Sequence, residues 1–142
     1  MRCIVYLSTA AYPMRPPDLE FLLLESRRLN NRNDITGVLL HSEGRFMQCF
    51  EGPEQAVMET YDRIHASRRH TGLIELMNER VRVRNFSAWD MGLAEPAPSM
   101  LLALSSARWT SLVATGSKPQ LRSPGFQLLL DFWREAQGSA LA

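Results

Sequence analysis

Residues 35–51 read ITGVLLHSEGRFMQCFE. Two apolar runs, 35–41 and 45–51, flank the short connection Ser42-Glu43-Gly44. Runs of this length and composition, joined by a few residues that include glycine, predict a β-hairpin. On both sides of the hairpin the period changes from two to about 3.6. Upstream, Leu19, Leu22, Leu23, Ser26 and Asn30 recur at helical spacing, so an amphipathic helix is predicted over 18–31. Pro17 suits its first turn, and Asp18 and Glu20 lie near the positive helix end. Downstream, Gly52-Pro53-Glu54 starts a second helix that runs to about Ser67, with Val57, Tyr61 and Ile64 on its inner face. Further out, strands are predicted over 2–8 (RCIVYLS), 73–81 (LIELMNERV) and 88–93 (AWDMGL). The order β-α-β-β-α-β-β predicts an α+β, ferredoxin-like sandwich, with two helices covering one face of a mostly antiparallel sheet.

Glu95-Pro96-Ala97-Pro98 breaks the pattern and sets the expected domains: 1–93, and an extension over 94–142. The extension reads as two amphipathic helices, 99–114 and 125–137, around a Gly/Ser/Pro-rich segment at 116–125. Cys3, Val5, Leu7, Met47 and Cys49 alternate onto the second sheet face, which needs a cover. Leu101, Leu102, Leu104, Trp109, Phe126, Leu129, Leu130 and Trp133 can supply it, so the two C-terminal helices are expected to pack on that face. The same surface could instead serve a partner or a second copy.

With a net charge of +1 over 142 residues, electrostatics give no case for nucleic acid or anionic lipid as a partner. Cys3 and Cys49 lie inside apolar runs, are too few for a disulfide framework, and read as reduced core thiols. The three histidines, His41, His65 and His70, lack metal-ligand spacing, so no metal is expected. No apolar run approaches the ~18 residues of a membrane span, and the N-terminal run is too short for a signal core. A cytoplasmic protein with no membrane contact is expected. No glycine-rich phosphate loop opens either helix.

Three polar side chains stand where the pattern calls for apolar ones: Tyr6 in the first strand, Gln48 in RFMQCFE, and Asn30 on the buried stripe of the first helix. Each, left unpaired, would cost about 1–3 kcal/mol. Ile4, Tyr6 and Ser8 share one strand parity, and Phe46, Gln48 and Phe50 another. If both sets face the helices, Tyr6, Gln48 and Asn30 converge. They could satisfy one another and the backbone. They could equally hold a heterocycle with a donor–acceptor edge, an isoalloxazine or a pterin, gripped by Leu22 and Ile64.

Beyond this residue-by-residue reading, the chain resembles the BLUF domains, blue-light sensors that use FAD. The matching pieces are Tyr6 in VYLS, SRRLNNRNDITG at 26–37, GRFMQCFEGP at 44–53, Arg68-Arg69-His70, and NFSAWDMG at 85–92. The resemblance spans roughly residues 1–93. It implies FAD as cofactor, Tyr6 as electron and proton donor, and Gln48 as the group that rearranges under light. It also implies ring contacts from Asn30, with Asn31 adjacent, and polar contacts from Arg63, Arg69 and His70. Trp89 and Met91 share a parity, and either could stand beside Gln48. Where family members often have an acidic residue before Arg-x-His, this chain has Ser67. The resemblance further implies no enzymatic activity, signalling to a separate effector protein, and a homo-oligomer. The rival readings are a light-insensitive flavin or small-ligand module and an acylphosphatase-like enzyme. For the enzyme, the loop Thr9-Ala10-Ala11-Tyr12-Pro13 lacks the glycines and arginine an anion site needs.

Overall fold

The computed structural model describes residues 1–110 and 122–141, the last four by their backbone alone. They form two compact units, Met1–Pro96 and Ala97–Ala142. The first unit contains β1 (Arg2–Ala10), α1 (Pro16–Arg32), β2 (Thr36–Ser42), β3 (Arg45–Gly52), α2 (Glu54–Ala66), β4 (His70–Arg80) and β5 (Gly92–Ala94). The sheet order is β4-β1-β3-β2-β5. All neighbours are antiparallel except β2 and β5, which run parallel. The α+β, ferredoxin-like architecture is the expected one.

The hairpin closes through Glu43 and Gly44, both at positive φ (48° and 76°). Its strand β3 lies between β2 and β1, so the quoted stretch supplies the centre of the sheet. Opposite Ile4, Tyr6 and Ser8 on β1 stand Phe50, Gln48 and Phe46 on β3. Of these, Ile4, Tyr6, Phe46 and Phe50 share a core with Leu19 and Leu23 of α1 and Val57 and Tyr61 of α2. At Gly37 on β2, an added Cβ would lie 2.0 Å from the Cys49 carbonyl oxygen of β3, so no larger residue fits that crossing.

Most element ends lie within two residues of the sequence reading, and the larger differences fall late in the unit. β4 begins at His70 rather than 73, because Ala10 and Thr9 extend β1 and pair with His70 and Thr71. The fifth strand shrinks from 88–93 to Gly92–Ala94, which pairs only with Val38, Leu39 and Leu40. Residues 81–91 are an irregular segment held by side-chain bonds and a few isolated backbone bonds instead.

In the second unit α3 (Pro98–Ser106) packs against α4 (Pro124–Leu141). The helix expected to reach residue 114 stops at Ser106. The Leu104 carbonyl there accepts the Trp109 indole N–H at 2.9 Å and the Ala107 N–H at 3.4 Å, which closes the helix end. Residues 111–114, and most of the expected connection at 116–125, lie outside the described residues. Gly125 lies against the Trp109 indole, with 2.5 Å available to a Cβ. Leu101, Leu104, Trp109, Phe126, Leu129, Leu130 and Trp133 are buried, but Leu102 points to solvent, contrary to its expected covering role. Among the described residues no helix is long and apolar enough to cross a membrane, and no cluster of His, Cys, Asp and Glu could hold a metal ion.

Candidate functional site

Between the sheet and its two helices lies an open cavity of about 260 Å³. Its floor is Tyr6 and Ser8 of β1, Leu39 of β2, and Phe46 and Gln48 of β3. One wall is a stripe of α1 (Leu22, Glu25, Ser26, Leu29, Asn30), the other a stripe of α2 and its exit (Thr60, Arg63, Ile64, Ser67), closed by Arg69 and His70. Both stripes follow i, i+3, i+4 spacing, which places them on single helix faces.

At the centre of the floor Tyr6 and Gln48 are directly opposite one another on the two middle strands. The Tyr6 hydroxyl donates to Gln48 Oε1, and Gln48 Nε2 points at Met91 Sδ, 3.6 Å away. The Tyr6 ring is surrounded by Phe50, His70 and Tyr61, with centroids at 6.2, 5.9 and 6.3 Å. Burial, with a smaller contribution from Tyr61, pushes the Tyr6 phenol far above its usual range, so it remains a neutral donor. Asn30, only 4% exposed, sends Nδ2 to the Asp90 carbonyl at 2.9 Å.

The three polar residues singled out in the sequence therefore do meet, and each has a protein partner. The unmet groups are others. Ser8 Oγ and His70 Nδ1 are buried, have no protein hydrogen-bond partner, and line this cavity. His70 Nε2 lies 3.0 Å from the Ile64 carbonyl, which makes Nε2 the N–H and leaves Nδ1 an acceptor. A buried acceptor and a buried hydroxyl in one open cavity fit a ligand with polar groups on an aromatic body, as an isoalloxazine has. The cavity suits the ring, and its open mouth lets a longer arm extend to solvent. There Arg69 Nη1 pairs with Glu25 Oε2 at 2.6 Å and its guanidinium lies over Phe21, while Arg63 Nη2 donates to Thr60 Oγ1 at 3.1 Å.

Of the residues expected at the site, Tyr6, Leu22, Asn30, Gln48, Arg63, Ile64, Arg69 and His70 line the cavity. Asn31 does not; it is exposed and donates to Asp90 Oδ2 at 3.1 Å. Trp89 and Met91 do not share a strand face, because residues 88–91 are not a strand. Met91 is buried against Gln48, whereas Trp89 is 37% exposed and offers its carbonyl to the Gly37 N–H at 2.8 Å. Ser8 was placed on the Tyr6 face but not named as a site residue, and Glu25 and Thr60 escaped the sequence reading. The parity of Ser8 with Tyr6, and the positions of Glu25 and Thr60 one turn from Leu22 and Ile64, were the available signals.

His70 gives a pH prediction. Burial lowers its pKa most, His65 adds to that, and the Ile64 carbonyl opposes it. A folded pKa below the unfolded 6.5 means that the unfolded chain takes up the proton first as pH falls, so stability is lost below pH 6.5. Between about pH 7 and pH 5, the urea midpoint of the wild type should fall more steeply than that of His70→Gln. Parallel slopes would show that His70 is not held neutral.

Known proteins are similar to this chain over the same unit. Residues 1–92 match the family described as BLUF, sensors of blue-light using FAD. The chain is 43% identical over 68 residues to the photoactivated adenylate cyclase subunit beta of Euglena gracilis, covering 48% of this chain and 8% of that protein. It is 33% identical over 75 residues to the blue light- and temperature-regulated antirepressor BluF of Escherichia coli (strain K12), covering 53% and 19%. The chain thus spans under a fifth of either relative. The dark-state structure of the BLUF protein BlrB superposes with a TM-score of 0.64 at 30% identity, covering 73% of this chain and 77% of that one. The pocket between sheet and helices and these matches lead to one conclusion: the chain belongs to the BLUF family, sensors of blue light whose cofactor is FAD.

Proposed function

We propose that the chain is a blue-light receptor that signals by exchanging the hydrogen bonds of Gln48, and that it carries out no net chemistry. The observation that carries this reading is the chain of contacts Tyr6–Gln48–Met91 along one edge of a cavity with unmet polar groups. FAD supplies blue-light absorption and, while excited, an acceptor for one electron and one proton. Tyr6 is the donor: its neutral phenol is pointed along an existing hydrogen bond, and because the transfer is transient it recovers both particles, leaving only the changed bonds of Gln48.

Gln48 is suited to have two stable arrangements. Its carboxamide has a donor end and an acceptor end, and a tyrosine hydroxyl can accept as well as donate. Turning the amide therefore keeps a bond to Tyr6. It replaces the Gln48 N–H at Met91 by an oxygen, and a thioether sulfur is only a weak acceptor, so little is lost on leaving it. The changed contact at Met91 then biases residues 81–94, the element whose position carries the signal. Asn30, Leu22 and Ile64 hold the ring, while Arg63, Arg69 and His70 meet its polar groups or the cofactor's arm. Ser8 joins them as a further contact.

The fold division supports a further part of the reading. Residues 1–93 are the sensor, and 94–142 are an extension that contacts a separate effector protein, in a homo-oligomer working in the cytoplasm. Removing 97–142 should leave the spectral change and abolish effector binding.

The deciding experiment is the visible spectrum in the dark and after blue light. A flavin band that moves slightly to the red and returns in the dark is expected. A flavin band that stays fixed would leave a flavoprotein with another task. In Tyr6→Phe, which retains the ring and loses the donor, flavin should bind and the shift should be absent. A complete photocycle in that variant would remove Tyr6 from the mechanism.

A further inference from the structure

Glu51 is fully buried, lies within the FMQCFEG motif, and has no part in the site described above. It alternates to the sheet face opposite Gln48, so it is not a cavity residue. A buried carboxylate is costly unless it is well hydrogen-bonded. Its Oε1 accepts the N–H of Asn85 at 2.5 Å and of Phe86 at 2.6 Å, and Oε2 faces Asn85 Nδ2 at 3.4 Å. Burial raises its pKa; the two backbone N–H groups, the Asn85 amide and the nearby Arg84 pull it back.

Those partners all belong to the irregular segment 81–91. Neighbouring ties hold the same segment: Arg84 bonds Thr36 Oγ1 at 3.0 Å and the Asp34 carbonyl at 2.8 Å, and Arg27 Nε bonds the Met91 carbonyl at 2.9 Å. Glu51 differs from these because it stands on β3, three residues beyond Gln48, which is roughly 10 Å along a strand. The strand that carries the switching amide thus also grips the base of the segment that ends in Met91.

We propose that Glu51 is a positioning residue for the light response: it fixes the base of segment 81–91 to β3, so that a change at Gln48 displaces Met91 against a fixed support. The inference rests on the light-sensing reading above. Without the anchor, Met91 no longer resists the return of Gln48, and the lit state decays faster.

The test compares dark recovery after blue light in the full-length, FAD-loaded wild type, Glu51→Gln and Glu51→Leu, with thermal midpoints recorded alongside. Glutamine retains an Oε1 for both N–H groups and should recover at the wild-type rate. Leucine keeps the volume and removes the acceptors; recovery should quicken about tenfold, equivalent to about 1.4 kcal/mol in the barrier. Asn85→Pro removes both Asn85 donors, the backbone N–H and the side-chain amide, from the segment side, leaves the buried carboxylate in place, and should quicken recovery in the same direction; it decides the matter if Glu51→Leu does not fold. A lower midpoint with unchanged recovery in the variants that fold would make Glu51 merely structural and overturn the inference. A wild type that binds FAD and shows no light shift would instead overturn the light-sensing reading, and the inference with it.

Discussion

Replacing Gln48 by leucine should give a yellow, flavin-loaded protein whose spectrum no longer moves under blue light. Leucine fills nearly the same volume on the cavity floor, so the walls from α1 and α2 stay in place and the ring still enters. What disappears is the carboxamide, which is hydrogen-bonded to Tyr6 and points at Met91. The Tyr6 hydroxyl loses its acceptor in a buried site, at a cost of about 1–3 kcal/mol, so a lower thermal midpoint should accompany the loss. The measurement is the light-minus-dark difference spectrum at matched flavin occupancy. A wild-type red shift in Gln48→Leu would show that the spectral change does not arise from the amide, and the proposed mechanism would fall.

Gly37→Ala should be the most damaging single-methyl addition in the first unit. The new Cβ would lie 2.0 Å from the Cys49 carbonyl and 2.8 Å from the Phe50 Cα. Both obstacles are backbone atoms of the central strand, so no side chain can rotate aside. Overpacking of a core typically costs 1–3 kcal/mol, and a clash with backbone belongs at or above the top of that range. A loss of about 3 kcal/mol would lower the melting temperature by roughly 10–25 °C. The damage should also reach function, because Cys49 follows Gln48 and the Gly37 N–H holds the Trp89 carbonyl at 2.8 Å. Thermal unfolding of the apo- and FAD-loaded protein checks the first point, and the size of the light shift in the surviving fraction checks the second. A melting temperature within a few degrees of wild type would mean that the strands can separate there at little cost.

The fold and the centre of the site were legible because they obey simple periods. A repeat of two fixed which residues of 2–8 and 45–51 share a face, and a repeat of 3.6 brought Asn30 and Leu22 to the same space. Segment 81–91 obeys neither period. Its shape is set by isolated bonds from Arg27, Asn30, Glu51 and Arg84, contributed by residues 34 to 64 positions away in the cases of Glu51, Asn30 and Arg27. Such bonds leave no repeating trace, so AWDMGL read as a strand, and Trp89 and Met91 looked interchangeable. That Ser8 Oγ and His70 Nδ1 would be left unmet was not legible for a related reason. An unmet hydrogen bond belongs to the assembled cavity, whereas an unexpected polar residue is visible in a string of letters. The trio that stood out proved to have protein partners. The tail shows the same limit, since Leu102 has the composition of a core residue and faces outward.

The pairing of Tyr6 with Gln48 also constrains how this lineage can change. Inserting or deleting one residue within β1 or β3 would turn one partner to the opposite side of the sheet and disconnect donor from amide in a single step. Length variation among descendants should therefore be purged from these two strands. The turn at Ser42-Glu43-Gly44 and the stretch Ala11–Arg15 lie outside both, and there indels can accumulate by drift. A photoreceptor built on cross-strand register can acquire new neighbours and outputs freely at its loops, while the ruler between its two working residues stays fixed.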